Sequence, residues 1–329
     1  MLEYANYISR CLQLAQLGCY YVAPNPMVGA VLVYGEGESE RIIGEGWHKE
    51  YGGPHAEVNC FASVRPENES KVRESTLFVS LEPCSHYGKT PPCADLIIKK
   101  GVKRVVVGML DPNPQVAGQG IERLRANGIE VVVGVMEEEC RELNKRFLCL
   151  HEKHRPYVTL KWAQTADGFM DYKRELPKEG ALTETKPLVI STPLNKRIVH
   201  KMRAENMAIL VGSNTALLDN PKLKTTHWVG RNPIRVLLDR RKRVPKESAI
   251  FSPDAETIVY SENTEWQFVL NDLAKRGIHS VLVEGGAQVL KYIIATGIYD
   301  EVHVEKGECR IGNGVAAPQI EDLKFIDDR

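Results

Sequence analysis

Residues 76–109 read TLFVSLEPCSHYGKTPPCADLIIKKGVKRVVVGM, and this stretch decides the fold class. Its two apolar ends, 76–81 and 103–109, have the length and the β-branched content of buried strands. The segment 93–100 between them spaces its apolar residues as a helix does. A strand, a helix and a second strand in this order predict a parallel pair joined by a crossover helix, which is the unit of α/β proteins.

The same alternation extends on both sides of this stretch. The strands 28–34 and 41–48 flank a glycine-containing turn and predict an antiparallel hairpin, whereas the later strands are expected to be parallel. The remaining elements of this half are predicted as helices at 7–17, 55–64, 121–127 and 137–150 and as a strand at 129–135. We therefore expect residues 1–150 to form a three-layer αβα domain around a mixed sheet.

A second α/β domain is expected over residues 151–329, because 329 residues exceed the usual size of one domain. The charged stretch HEKHRP at 151–156 is predicted to link the two domains, and the polar stretch 171–187 to form a long loop. Strands are predicted at 157–163, 207–211, 234–239, 256–260, 279–283 and 300–304, and helices near 194–203, 265–276 and 287–295.

The composition is that of a globular protein, with 43% hydrophobic and 26% charged residues. The 43 basic side chains equal the 43 acidic ones in number, so neither nucleic acid nor a membrane surface is expected as a partner. The first residues show neither the basic segment nor the apolar run of a signal peptide, and a cytoplasmic location is therefore expected. In that compartment the eight cysteines are expected to be reduced or bound to metal.

A zinc site is predicted from His55, Cys84 and Cys93, which all lie at the ends of predicted elements. An imidazole nitrogen and two thiolates supply three ligands to a tetrahedral zinc, and the fourth position stays open for water, as in catalytic sites. Zinc lowers the pKa of that water, so that hydroxide is available near neutral pH. Glu57 is placed to carry a proton from the water to the ring and then to the departing amine. The pattern is that of zinc deaminases, with an unusually long spacing between the cysteines.

Two other interpretations stay open at this point. A structural zinc usually has four protein ligands, and Cys60 or His86 is a candidate for the fourth. A deaminase acting on cytidine or on tRNA bases would carry the same ligands, but the zero net charge and the long cysteine loop disfavour it.

The segment PCSHYGKTPPC at 83–93 resembles the signature of the bifunctional riboflavin-biosynthesis deaminase/reductase family. Further matches follow the family's order, namely PNPMVG at 24–29, GWH at 46–48, GPHAE at 53–57 and DPNP at 111–114. The resemblance implies a cytidine-deaminase-like domain that deaminates diaminohydroxyphosphoribosylaminopyrimidine, a small pyrimidine nucleotide. It also implies a substrate pocket lined by Asn25, His48, His86 and Lys89.

The second half resembles the reductase of the same family, whose fold is similar to dihydrofolate reductase and which uses NADPH to reduce the ribose to a ribityl chain. The matching segments are KWAQTADG at 161–168, the run 203–221 and VEGGA at 283–287. The resemblance implies substrate contacts at Lys161, Arg203, Leu223 and Glu284. It implies NADPH contacts at Ala163, Thr215, Asp219, Gly286, Ala287, Gln288, Val289, Leu290, Lys291 and Tyr292.

The reductase half also departs from the family. The family usually has Leu-Thr-x-Arg where this chain has LKTT at 223–226, so that Thr226 replaces an arginine that helps to hold the substrate phosphate, and Lys224 is the nearest cation. Family members usually continue beyond the position of Arg329. The interpretation that the chain works only as a deaminase therefore stays open. The sequence also does not decide between a monomer and a homo-oligomer.

A basic cluster follows the predicted strand 234–239, and it reads Arg240-Arg241-Lys242-Arg243. A guanidinium binds phosphate through two parallel hydrogen bonds, which suits the 2′-phosphate of NADPH. We predict Arg240 as the contact, although a solvated charged turn explains the cluster equally well.

Overall fold

The structure is a computed structural model that describes residues 2–87, 91–112, 117–178, 181 and 185–320. The chain divides into two compact units, residues 1–153 and residues 154–329. Among the described residues, no helix combines the length and the apolar character that crossing a membrane requires.

The first unit contains a five-stranded sheet in the order β2-β1-β3-β4-β5. Strand β1 is antiparallel to both β2 and β3, whereas β3, β4 and β5 are parallel, so the expected mixed sheet is confirmed. Its elements are α1 (Leu2–Gln16), β1 (Gly29–Tyr34), β2 (Arg41–Trp47), α2 (Ala56–Ala62), β3 (Thr76–Leu81), α3 (Cys93–Lys100), β4 (Arg104–Met109), α4 (Gln119–Ala126), β5 (Glu130–Val133), α5 (Glu137–Leu143) and α6 (Lys145–Lys153).

Both faces of this sheet are covered, because side chains alternate between the faces along each strand. Val105 and Val107 pack in one apolar cluster with Ile97 of α3, and Val106 packs in another with Ile8 of α1. Helices therefore lie on both sides of the sheet, which is the three-layer arrangement expected from the sequence.

The prediction of one continuous helix over 137–150 is wrong. The expected helix 137–150 is divided at Asn144 into α5 and α6, and α6 continues to Lys153 through the first half of the predicted linker 151–156. The division coincides with a contact to a distant part of the chain, since the buried amide of Asn144 accepts a hydrogen bond from the backbone nitrogen of Met27 at 2.8 Å and donates one to its carbonyl at 2.9 Å.

The second unit contains a six-stranded sheet in the order β10-β9-β8-β11-β6-β12, in which all neighbours are parallel. Its elements are β6 (Tyr157–Gln164), β7 (Phe169–Asp171), α7 (Pro193–Glu205), β8 (Ala208–Gly212), α8 (Ser213–Asp219), β9 (Ile234–Leu238), β10 (Thr257–Tyr260), α9 (Trp266–Lys275), β11 (Ser280–Val283), α10 (Ala287–Thr296), β12 (Glu301–Lys306) and β13 (Val315–Ala316). Strands β7 and β13 pair in a small separate sheet, and neither of them was predicted.

Candidate functional site

Three elements bring His55, Cys84 and Cys93 together. His55 precedes the first turn of α2, Cys84 follows β3, and Cys93 is the first residue of α3. Nδ1 of His55 lies 3.6 Å from Sγ of Cys84 and 3.3 Å from Sγ of Cys93. All three ligand atoms lie within 4.8 Å of one another.

This spacing fits zinc. Bonds of about 2.3 Å to sulfur and about 2.0 Å to nitrogen in a tetrahedron place the sulfur and nitrogen atoms about 3.5 Å apart. Within the described residues, no fourth His, Cys, Asp or Glu joins the cluster. Cys60, one candidate for a fourth ligand, is buried in the apolar core instead. Its position therefore does not support a structural zinc with four protein ligands.

A backbone N–H group holds the sulfur of Cys84 in place. The N–H of Cys93 donates to Sγ of Cys84 at 3.2 Å, and the N–H of Ala94 donates to the carbonyl of Cys84 at 3.1 Å. The hydrogen bond between the two thiols, followed by the one with His55, lowers the pKa of Cys84, and the same shared hydrogen bond raises the pKa of Cys93. A thiolate is the form of cysteine that binds zinc.

Close packing of α2 on the sheet sets the position of His55 and Glu57. At Gly46 of β2, an added Cβ would lie 2.2 Å from the backbone nitrogen of Cys60, so only glycine allows α2 to approach this closely. Glu57 is 3% exposed, and burial raises the pKa of its carboxyl above the ordinary value. A carboxyl group with a raised pKa can hold and release a proton near neutral pH, as a general acid–base catalyst must.

A cavity of about 300 Å³ opens beside these residues. Asn25, His48 and His86 line it, as the sequence predicted, whereas Lys89 lies outside the described residues. Nδ2 of Asn25 lies 3.0 Å from Nε2 of His48, and Nδ1 of His48 lies 3.0 Å from the carbonyl oxygen of Pro54. Burial lowers the pKa of His48, so its imidazole is neutral and bonded at both nitrogens.

Several further side chains line the cavity without having been assigned a role from the sequence, among them Glu82, Asp111, Phe147 and His151. Glu82 is 5% exposed and accepts backbone hydrogen bonds from Asp111 at 3.2 Å, from Gly118 at 3.0 Å and from Gly120 at 3.0 Å. This carboxylate therefore holds the chain after β4 against the segment that carries Cys84. In the sequence, the only indication of a role for Glu82 was its position directly before Pro83.

In the second unit, the expected substrate residues Arg203 and Glu284 are paired. Nε of Arg203 donates to Oε1 of Glu284 at 2.7 Å, and Nη2 donates to Oε2 at 2.6 Å. Nη1 of Arg203 donates to the carbonyl of Lys224 at 3.0 Å. The preceding residue, Leu223, is buried with a φ of 51°, a conformation that costs energy for a branched side chain. The structure thus brings Arg203, Glu284 and Leu223 to one place.

Lys161 lies beside two carboxylates. Its Nζ is 3.9 Å from Oε2 of Glu305 on β12, a residue that the sequence did not indicate. Burial acts to raise the pKa of Glu284, but Arg203 and, more weakly, Lys161 outweigh it, so that the pKa is lowered. Lys161, Arg203 and Glu284 therefore form one electrostatic cluster.

Thr226 stands where the family usually has an arginine that helps to hold the substrate phosphate. Thr226 is exposed, and its backbone N–H donates to Nδ1 of His200 at 3.0 Å. Burial and then the charge of Arg203 lower the pKa of His200 to about 4, so this imidazole is a neutral acceptor. Lys224 forms an ion pair with Asp254. His200 lies three residues before Arg203 on α7, which places both on one helix face.

The NADPH contacts expected from the sequence lie around the ends of β8 and β11 and the starts of α8 and α10, a region called the crevice below. At Gly285, an added Cβ would lie 2.4 Å from Cα of Val211. At Gly286, which has a φ of 41°, it would lie 3.0 Å from Oγ1 of Thr215. Glycine is therefore favoured at both positions by the close approach of the neighbouring strand and helix. The ten-residue helix α10 begins directly after Gly286, and backbone N–H groups at a helix start bind phosphate.

The remaining expected cofactor residues are dispersed. Gln288 accepts a hydrogen bond from Asn214 at 3.3 Å, and Val289 packs against Gly212, so both adjoin the crevice. Tyr292 instead accepts from the backbone of Trp266 at 3.0 Å. Of the others, Ala163 is half-buried on β6, Ala287 and Leu290 are buried, Lys291 is exposed, and Asp219 is ion-paired with Arg174.

The arginines of the basic cluster after β9 lie in different surroundings. Arg240 is exposed, whereas Arg243 reaches the start of α8, where its Nη2 donates to Oγ of Ser213 at 3.0 Å and to Oδ1 of Asn214 at 2.8 Å. Arg243 is therefore the member of the cluster that adjoins the crevice, which its spacing along the sequence did not reveal.

Taken with the buried Glu57, the His-Cys-Cys cluster is that of the zinc-dependent deaminase class, and the second unit is built on a parallel six-stranded sheet. Residues 2–109 match the family model for the cytidine and deoxycytidylate deaminase zinc-binding region, and residues 156–325 match the model for the RibD C-terminal domain. The chain belongs to the RibD family of riboflavin biosynthesis proteins.

Individual relatives agree with this assignment. Riboflavin biosynthesis protein RibD of Aquifex aeolicus is 38% identical over 94% of this chain and 88% of its own length. The Escherichia coli RibD is 36% identical over 91% of this chain and 86% of its own length. The crystal structure of a diaminohydroxyphosphoribosylaminopyrimidine deaminase/5-amino-6-(5-phosphoribosylamino)uracil reductase from Thermotoga maritima is 40% identical. It superposes with a TM-score of 0.83 over 95% of this chain and 89% of that chain.

Proposed function

We propose that this chain catalyses two successive steps of riboflavin biosynthesis. The first unit deaminates diaminohydroxyphosphoribosylaminopyrimidine, and the second reduces the ribose of the product to a ribityl chain. The chain is a bifunctional enzyme whose cofactors are zinc and NADPH, as the resemblance implied. The observation that carries the deaminase is the meeting of His55, Cys84 and Cys93 within 4.8 Å, beside a buried Glu57.

The deamination is a hydrolysis, in which water adds to the carbon that carries the amino group, the C–N bond breaks and ammonia leaves. Zinc held by His55, Cys84 and Cys93 would supply the activated water. Glu57 takes the proton of the water and returns it to the leaving amine. Asn25, which is oriented by its contact with Nε2 of His48, offers its remaining amide groups to the edge of the pyrimidine.

In the reductase, NADPH supplies the hydride, and the residues of the chain bind and orient the ribose. Arg203 and Glu284 are joined by two hydrogen bonds, and their remaining N–H groups and lone pairs are proposed to bind the substrate. Lys161 lies beside Glu305 and is proposed to face the reacting ribose.

Release of ammonia from the phosphoribosyl pyrimidine, with cytidine and tRNA as competing substrates, tests the deaminase. We expect turnover of the first substrate only. Turnover of cytidine or tRNA alone would instead favour the base-deaminase interpretation.

We also propose that the protein is cytoplasmic. All eight cysteines are free, and thiolate ligands persist in a reducing compartment.

Residues 1–153 are expected to fold without the rest of the chain, to bind about one zinc and to deaminate. The fragment keeps α6, whose Leu148 and Cys149 are buried. Circular dichroism, zinc analysis and ammonia release check this expectation. The shorter fragment 1–143 is the contrast, because it lacks α6 and should be much less stable. An insoluble, zinc-free 1–153 fragment would contradict the independence of the first unit.

NADPH is expected to be preferred over NADH by about tenfold to a hundredfold, since a hydrogen bond to a charged group contributes about 1.5–3 kcal/mol. Arg240→Ala should reduce this preference, and reduction of the deaminated intermediate with each cofactor measures it. Arg243→Ala is the comparison, because Arg243 adjoins the crevice. Equal efficiency of both cofactors in the unmodified protein would refute the preference. An unchanged ratio in Arg240→Ala would refute only the role of Arg240.

A further inference from the structure

Glu305 lies on the face of the second sheet that carries Lys161. Strand β12 pairs in parallel with β6, and the register places His303 beside Lys161 and Glu305 beside Ala163. Because side chains alternate along a strand, these four side chains lie on one face of the sheet. Glu305 is the last residue but one of β12, so it lies at the carboxyl-terminal edge, where parallel α/β sheets bind their ligands.

Both oxygens of the Glu305 carboxylate accept hydrogen bonds from the start of α7. Oγ of Ser191 donates to Oε2 at 2.6 Å, and Nδ2 of Asn195 donates to Oε1 at 2.9 Å. The side chain of Glu305 is only 11% exposed, and a buried carboxylate is costly unless hydrogen bonds and opposite charge compensate. The carboxylate therefore has a defined position and orientation.

Lys161 is a cation beside this carboxylate. Its Nζ lies 3.9 Å from Oε2 of Glu305, and its side chain is 13% exposed. At this distance the carboxylate attracts the ammonium without taking up one of its N–H donors. A lysine ammonium is a point charge on a flexible four-carbon stem, so a fixed carboxylate nearby restricts the places that it can occupy.

A purely structural role of Glu305 is the alternative. A carboxylate at the start of a helix is favoured by the partial positive charge there, so Glu305 also stabilises α7. That role alone does not explain why the carboxylate lies beside Lys161 and Ala163, which are expected to meet the substrate and NADPH. The two roles differ in what Glu305 acts through, which is either Lys161 or the fold of α7.

We propose that Glu305 is a positioning residue of the reductase, which holds the ammonium of Lys161 at the ribose that is reduced. The proposal rests on the reductase function given above. It adds to that site a residue that acts through Lys161 and does not itself contact the substrate. Because a displacement of about 1 Å can cost about 10²-fold in rate, loss of Glu305 is expected to lower kcat more than it raises KM.

Glu305→Gln removes the negative charge and keeps nearly the same shape, and its amide can still bond to Ser191 and Asn195. We expect kcat for reduction of the deaminated intermediate to fall about 10- to 100-fold, while KM for NADPH changes by less than about twofold. Glu305→Asp restores the charge on a shorter side chain and should recover part of the rate. Glu308→Gln is the matched control, because Glu308 is an exposed residue shortly after β12 and its variant should reduce the intermediate at the unmodified rate.

The same substitution in a Lys161→Met background separates the two roles of Glu305. Single-turnover oxidation of NADPH is measured for each variant. If Glu305 acts through Lys161, the double variant should be no slower than Lys161→Met alone, since the effects of residues in contact are not additive. Additive losses would assign Glu305 to the fold of α7 and overturn the inference.

Asn195→Ala provides the test if Glu305→Gln does not fold. It frees Oε1 of Glu305 and leaves the charge in place, so kcat should fall about threefold, as for the loss of one hydrogen bond, and not at all in the Lys161→Met background. An unchanged kcat in a folded Glu305→Gln would also overturn the inference. Failure of the unmodified protein to reduce the intermediate with NADPH would overturn the proposed reductase function instead, so the two failures are distinguishable.

Discussion

Glu57→Gln is expected to lower the rate of deamination by about 10²- to 10⁴-fold, the usual effect of losing general acid–base catalysis. The amide has nearly the same shape as the carboxyl, but it cannot accept and return a proton. Because Glu57 is not among the three clustered ligand atoms, the variant should keep its zinc. Ammonia release and metal analysis on the same preparation measure both effects.

Glu67→Gln is the matched control for this variant. Its side chain is 64% exposed, so the same substitution there should leave zinc content and rate unchanged. Loss of zinc in Glu57→Gln would show that Glu57 is a ligand or a structural residue, which contradicts its role as a proton carrier.

Cys84→Ser is expected to remove most of the zinc and to abolish measurable deamination. The hydrogen bonds with Cys93 and His55 lower the pKa of Cys84 and so favour its thiolate, whereas a serine hydroxyl stays protonated and is a poor zinc ligand. Reduction of separately supplied deaminated intermediate should continue, because Lys161, Arg203 and Glu284 belong to the second unit. Metal analysis and the two separate assays check these expectations.

Cys309→Ser serves as the control, since Cys309 is an exposed free cysteine far along the sequence from the cluster. About one zinc per chain in Cys84→Ser would contradict the ligand assignment. Finding no zinc in the unmodified protein would contradict the metal site as a whole.

The clustering of His55, Cys84 and Cys93 could be predicted from the sequence, because each of these residues lies in a short recognisable motif. His55 and Glu57 share one helix start, Cys84 lies shortly after β3 and Cys93 begins α3, so the predicted elements already indicated that these residues lie near one another. The strands were predicted well for a similar reason. Val105, Val106 and Val107 form an apolar run, which is typical of a parallel strand covered on both faces.

Other features depend on contacts between distant positions, which periodicity cannot reveal. The break at Asn144 coincides with its hydrogen bonds to Met27, and a helical pattern alone gives no sign of it. The place of Arg243 beside Asn214 depends on how the chain turns after β9. Strand β7 has three residues and β13 has two, and segments this short show no usable alternation.

One measurement tests the central claim most directly. Purified full-length protein is incubated with diaminohydroxyphosphoribosylaminopyrimidine, with and without NADPH, and the products are identified by mass. The bifunctional account predicts the deaminated phosphoribosyl compound without NADPH and the deaminated ribityl compound with it. A product that stays at the deaminated stage in the presence of NADPH would contradict the reductase half, and unchanged substrate under both conditions would contradict the account as a whole.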